Sequence, residues 1–242
     1  EDGDIGVSLD ANGLVLTGSG EVDNIKIVGS VAVTVLGQDK ADTLVGSTGD
    51  DIVEGGAGND TLDGGAGDDL LAGGSGNDTI EGGDGTDVAV FAGNLEDYTF
   101  ASSANGLTVT VTDTKTGDAD TVTGVETLRF AGGVDIGVSR DSTDGHMILT
   151  GTSGADTLTI VGDVGIEVPG TDGADVLTGG AGDDDIEGAA GNDTIAGGAG
   201  DDRLDGGADD DILSGDAGSD TIDGGAGTGD IAKFAGNQAD YT

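Results

Sequence analysis

The chain keeps time in nines. From Gly46 it reads GSTGDDIVE, GGAGNDTLD, GGAGDDLLA, GGSGNDTIE and GGDGTDVAV, with Asp51, Asp60, Asp69, Asp78 and Asp87 in sixth place and Val53, Leu62, Leu71, Ile80 and Ala89 in eighth. A looser row, GQDKADTLV, precedes them in frame from Gly37 and puts Asp42 sixth. From Gly170 the beat returns for six rows, with Asp175, Asp184, Asp193, Asp202, Asp211 and Asp220 sixth and Leu177, Ile186, Ile195, Leu204, Leu213 and Ile222 eighth. A last row from Gly224 carries one extra residue before Asp230. A period this short and this strict demands a fold in which each row is one small unit stacked on its neighbours.

Composition narrows the choice further. The 242 residues carry a net charge of −42, 52 glycines, one proline and no cysteine or tryptophan. Disulfides and cysteine-ligated metals are excluded. Seven scattered Lys and Arg cannot line a phosphate backbone, so nucleic acid is excluded as a partner. No apolar run reaches membrane-spanning length, so membrane insertion is not expected. High charge with few aromatics is the signature of disorder, but here the acids fall on the beat instead of in blocks.

The rows resemble the RTX calcium-binding nonapeptide GGxGxDxUx, the repeat of a parallel β-roll. The resemblance covers about half of the chain directly and implies an all-β fold: two parallel β-rolls, each a calcium-stapled β-solenoid, separated by a small β-rich spacer or capping module. It implies Ca²⁺ held by the sixth-position aspartates, Asp42, Asp51, Asp60, Asp69, Asp78, Asp87, Asp175, Asp184, Asp193, Asp202, Asp211, Asp220 and Asp230. Carried over, Asp51 pairs with Asp69, Asp60 with Asp78, Asp69 with Asp87, Asp175 with Asp193, Asp184 with Asp202, Asp193 with Asp211 and Asp202 with Asp220. Early-turn backbone carbonyls complete the ligand set. In the first array these are Gly55, Gly56, Ala57, Gly58, Gly64, Gly65, Ala66, Gly67, Gly73, Gly74, Ser75 and Gly76. In the second they are Gly179, Gly180, Ala181, Gly182, Gly197, Gly198, Ala199 and Gly200. Roughly seven to nine ions are expected.

Physical chemistry reaches a compatible picture. The first six positions read as a glycine-rich turn, and the last three as a very short strand whose middle side chain points inward. Two rows then form one coil, and rows n and n+2 stack on the same side. Stacked strands lie about 4.8 Å apart and calcium–oxygen bonds are about 2.4 Å, so one ion fits between two turns. One buried aliphatic side chain per row offsets only part of the backbone entropy of ordering it. The rolls are therefore expected to be loose or unfolded without calcium and to fold on binding it, with affinities of about 10⁻⁴–10⁻³ M.

A longer repeat lies above the short one. Leu16–Gly46 aligns without gaps on Leu149–Gly179, an offset of 133. DVAVFAGNLEDYT (Asp87–Thr99) matches DIAKFAGNQADYT (Asp230–Thr242) at an offset of 143, and DIGVS recurs at Asp4 and Asp135. The expected organisation is the end of a preceding spacer at 1–13, roll one at 14–90 with apolar rungs 14–45 and nonapeptide rows 37–90, and the spacer at 91–147. Roll two follows at 148–233 with rows 170–233, then the start of a further spacer at 234–242. The partial units read as a segment of a longer tandem array.

Function follows as an expectation. His146 is the single histidine, no G-x-S-x-G or Walker A sequence is present, and paired acids such as Asp50-Asp51 recur along the rows, so the chain is read as non-enzymatic. The resemblance implies a structural segment of a secreted bacterial cell-surface protein, such as an adhesin stalk, matrix fibre or surface-layer component. Such a protein leaves the cell unfolded by type I secretion and folds outside. Its partners would be calcium and further copies of the unit, with self-assembly possible in principle. A calcium-binding accessory module of an RTX exoenzyme or toxin is the alternative. An ice- or glycan-binding solenoid ranks third, because third-position residues are mostly Ala and Thr48 is the one Thr among them.

Overall fold

The computed structural model describes residues 6–9, 13–142 and 146–234. The segments expected to belong to neighbouring spacers, 1–13 and 234–242, lie largely outside them. The chain divides into two units, residues 1–98 with 107–138, and residues 99–106 with 139–242. Nearly all regular structure is strand, and the only helical residues described are two single turns, Leu95–Asp97 and Ala131–Gly133. No helix among the described residues is long and apolar enough to cross a membrane.

The first unit is a parallel roll. One stack runs Leu14–Thr17, Val33–Asp39, Ile52–Ala57, Leu70–Ser75 and Val88–Val90, and the other Asn24–Lys26, Thr43–Val45, Thr61–Ala66 and Thr79–Asp84. Ile52 sits opposite Leu70 and Thr61 opposite Thr79, so neighbours are eighteen residues apart and successive rows alternate sides. The eighth-position side chains form the core: Leu44, Val53, Leu62, Leu71, Ile80 and Ala89 are fully buried.

The strands are longer than the sequence predicts. Thr61–Ala66 and Leu70–Ser75 take in the last three positions of one row and the first three of the next, and Gly56 pairs with Gly74 and Ala57 with Ser75. The turn is thus confined to positions four to six. The second-position glycine, with φ of +113° at Gly56, bends the strand without ending its ladder, a backbone state that side chains disfavour.

Beyond the array the roll continues. Ala119–Thr123 pairs in parallel with Thr79–Glu81, and Thr127–Phe130 with Val88–Val90, adding one rung to each stack. An antiparallel strand follows on each: Thr108–Asp113 on Ala119–Thr123 and Val134–Arg140 on Thr127–Phe130. An aromatic cluster packs where the chain leaves the array, with Phe91 stacked on Phe130 at 5.2 Å, Tyr98 against Phe130 at 5.1 Å, and Tyr98 Oη accepting from Gly93 N–H at 3.0 Å.

The second unit repeats the scheme. Met147–Thr150, Ile166–Val168, Asp185–Glu187, Arg203–Asp205 and Thr221–Asp223 form one stack. Thr157–Thr159, Val176–Thr178, Thr194–Ala199, Ile212–Ala217 and Ile231–Lys233 form the other. Leu177, Ile186, Ile195, Leu204 and Leu213 are buried between them. The extra residue before Asp230 is absorbed in the turn, so Ile212 faces Ile231 at a spacing of nineteen. The two units end differently. The last row of the first array, Val88–Val90, belongs to the stack begun by Leu14–Thr17, whereas Ile231–Lys233 belongs to the stack begun by Thr157–Thr159, the counterpart of Asn24–Lys26.

Candidate metal centres

Along each stack, a sixth-position aspartate is held by a backbone N–H of the row two before it in sequence. The backbone N–H of Asp42 donates to Asp60 Oδ1 at 2.7 Å, Asp51 to Asp69 at 2.7 Å, Asp60 to Asp78 at 2.8 Å and Asp69 to Asp87 at 2.8 Å. In the second unit Asp175 donates to Asp193 at 2.8 Å, Asp184 to Asp202 at 2.9 Å, Asp193 to Asp211 at 2.8 Å and Asp202 to Asp220 at 3.1 Å. Asp211 donates to Asp230 at 3.2 Å. The seven aspartate pairs carried over from the resemblance are thus neighbours in these ladders.

The second carboxylate oxygen is the informative one. Oδ2 of Asp42, Asp60, Asp69, Asp78, Asp87, Asp193, Asp202 and Asp211 is buried without a hydrogen-bond partner. A buried acceptor left alone is costly, and more so when charged. Burial accordingly pushes the Asp69, Asp78 and Asp193 carboxyls up to about 6. Asp184 is also raised to about 6 by burial, although its Oδ2 accepts from Gly180 N–H at 2.9 Å. Asp51 Oδ2 is likewise partnered, by Ser47 N–H at 2.5 Å.

These oxygens converge with carbonyls where the row's first glycine lacks a side chain. A Cβ on Gly64 would sit 2.7 Å from Gly82 O and closer still to Asp69 Oδ2. A Cβ on Gly55 would meet Gly73 O at 2.6 Å and Asp60 Oδ2, and one on Gly188 would meet Gly206 O at 2.6 Å and Asp193 Oδ2. Gly37, Gly46 and Gly179 repeat the arrangement with Asp42, Asp51 and Asp184 and the carbonyls of Gly55, Gly64 and Gly197. A cradle of carboxylate and carbonyl oxygens with no proton to share suits a hard cation such as Ca²⁺. Among the described residues no three acidic or imidazole side chains gather, so an ion here would draw mainly on backbone oxygens.

The other sequence-predicted carbonyls are placed less uniformly. Those of Gly56, Gly58, Gly65, Gly67, Gly180, Gly182 and Gly200 face the matching glycine two rows on. The carbonyls of Ser75 and Gly180 already accept from Gly58 and Ala199 N–H at 2.9 Å each. Asp220 is half-buried and Asp230 exposed.

Four acids absent from the sequence-based set occupy equivalent places. Asp23 and Asp156 are buried and accept from Ser19 and Thr152 N–H at 2.6 Å; GSGEVDNIK and GTSGADTLT hold the Gly, Asp and apolar positions that could have found them. Asp120 and Glu126 take the aspartate role in the added rung, accepting from Asp78 and Asp87 N–H at 2.8 Å. Burial raises Asp120 to about 7. The fifth-position side chains form a second ladder running the other way. Asp68 N–H donates to Asp50 Oδ1 at 3.0 Å, Asn77 to Asn59 at 3.1 Å and Asp201 to Asp183 at 2.8 Å.

The family model for the RTX calcium-binding nonapeptide repeat (four copies) matches residues 36–71, 63–90, 169–204 and 196–231. No curated protein matches the chain. Among ten solved chains that match is the extracellular lipase LipA from Serratia marcescens, at 23% identity over 76% of this chain and 32% of the lipase, with a TM-score of 0.30. The chain thus spans about a third of that enzyme's length.

Proposed function

Because the arrays at 36–90 and 169–231 belong to the RTX calcium-binding nonapeptide family, we propose that this chain is a calcium-dependent structural repeat segment of a secreted, cell-surface protein, a stalk, fibre or surface-layer element that folds outside the cell. The observation that carries the reading is the row of buried, unpartnered aspartate Oδ2 atoms, those of Asp42, Asp60, Asp69, Asp87 and Asp193 facing a carbonyl across a glycine-shaped gap. Calcium bound there supplies the counter-charge that these oxygens lack. The chain's own residues present the oxygens, exclude side chains from the gap and fix each carboxylate through its Oδ1 bond to the neighbouring row. Roughly seven to nine ions would offset about sixteen negative charges and leave the remainder to solvate the surface. The internal offsets of 133 and 143 residues favour a tandem array over a lone accessory module.

Far-UV circular dichroism in EDTA and then in millimolar calcium tests the reading. Strand signal should develop on adding calcium and reverse on chelation. Identical spectra would refute it.

A further inference from the structure

The two units carry the same sheet edge, and it is covered in only one of them. The internal alignment equates Ile27, Val28 and Gly29 with Ile160, Val161 and Gly162. In both copies the isoleucine N–H points into its stack: Ile27 donates to Val45 O at 2.9 Å and Ile160 to Thr178 O at 2.8 Å. The following valine N–H points outward. In the second unit Val161 N–H donates to Phe100 O at 2.7 Å, and Phe100 forms a parallel bridge with Ile160. A Cβ on Gly162 would touch Ala101 Cβ at 3.7 Å.

In the first unit none of this cover is present among the described residues. Val28 N–H meets no described acceptor, and a Cβ on Gly29 would meet nothing within 4 Å. Exposure follows suit: Val28 is 90% exposed against 41% for Val161, and Ile27 is half-buried where Ile160 is buried. Asn24–Lys26 is the terminal strand of its stack. A terminal strand with outward N–H groups and apolar side chains is a template for strand addition.

We propose that the Ile27–Gly29 edge is a docking site for a β-strand of the Thr99–Ser102 type, donated by another copy of the repeat unit. The occupant is argued from the second unit, where this strand fills the matching edge with Phe100 fully buried. The Asp-Tyr-Thr that leads into it at Asp97–Thr99 recurs at Asp240–Thr242. Main-chain pairing at Val28 gives the attachment, and the phenylalanine gives the selectivity for this segment. The proposal rests on the tandem-array reading above and deepens it, because it names how one unit engages the next.

The test joins a second copy of the Asp97–Gly106 sequence ahead of Glu1 through a flexible linker, which sets a millimolar-scale effective concentration. Amide hydrogen exchange at Val28 is then compared with the parent chain in calcium. Exchange at Val28 should slow by about tenfold or more, and Phe100→Asp made only in the added copy should restore the parent rate. Unchanged Val28 exchange in a chain whose strand signal develops normally with calcium overturns the docking site and leaves the calcium reading standing. Protection that survives Phe100→Asp overturns it as well. A chain that gains no strand signal in calcium overturns the calcium reading, and the docking proposal with it.

Discussion

Replacing Gly64 by alanine separates two accounts of why each row opens with glycine. If that glycine served only the flexibility of a turn, alanine would be tolerated, because Gly64 is not among the positive-φ residues. Gly→Ala at a compatible backbone stabilises by about 0.4–1 kcal/mol. The cradle geometry predicts the opposite sign. The new methyl group would lie 2.7 Å from Gly82 O and nearer to Asp69 Oδ2, and overpacking of this kind costs about 1–3 kcal/mol. It would also occupy the point where the oxygens converge, abolishing one ion site. A site at 10 to 100 times its dissociation constant contributes about 1.4–2.7 kcal/mol. The net expectation is a loss of about 2–5 kcal/mol in calcium. Urea unfolding at fixed calcium reads the stability, and isothermal titration reads the stoichiometry, which should fall by one. Parent-like stoichiometry together with an unchanged or raised urea midpoint would refute the cradle.

The pH dependence should change sign with metal. Without calcium, Asp69, Asp78 and Asp193 are held at about 6 and Asp120 at about 7 by burial, above the unfolded-chain value of about 3.9. The folded state then binds more protons than the unfolded one, so metal-free stability should fall as pH rises from about 4 to about 7. In EDTA, strand circular dichroism should grow on acidification. With calcium present, protonation competes with the ion, and the calcium concentration at half-folding should rise below about pH 6. Phe130→Ala removes the ring stacked on Phe91 at 5.2 Å and should cost about 3–5 kcal/mol by thermal denaturation in saturating calcium. Asp120→Ala leaves the Asp78 N–H without its 2.8 Å acceptor and should cost about 1–3 kcal/mol in the same assay.

The nonapeptide phase made most of the two rolls legible. A fixed distance between aspartates translates directly into stacking register, because nothing intervenes to change the number of residues per coil. Legibility failed where that distance changed. Thr79 and Thr121 are neighbours at an offset of 42, since residues 91–118 leave the coil and return, so no short-period scan reaches Asp120 or Glu126. Asp23 escaped because its row, GSGEVDNIK, keeps the aspartate while losing the glycine pair. The strand length was missed for a different reason. Gly-Gly-Ala reads as a turn by propensity, yet pairing with the row eighteen residues away holds it in the ladder, an interaction with no local signature. The opposed fifth-position ladder, such as Asp201 N–H to Asp183, was likewise invisible, because Asn and Asp there look no different from solvated turn residues.

The differing ends of the two arrays act as an indexing device. Counting from Gly37 and from Gly170, the first array has six rows and the second seven, and the polypeptide leaves them from opposite flanks of the coil. Duplicating or deleting a single row would re-aim whatever follows by half a circuit, whereas changing the count by two would only alter the reach. Gene-level slippage between near-identical rows could thus sample either direction or length without disturbing a single core contact within the coils that remain.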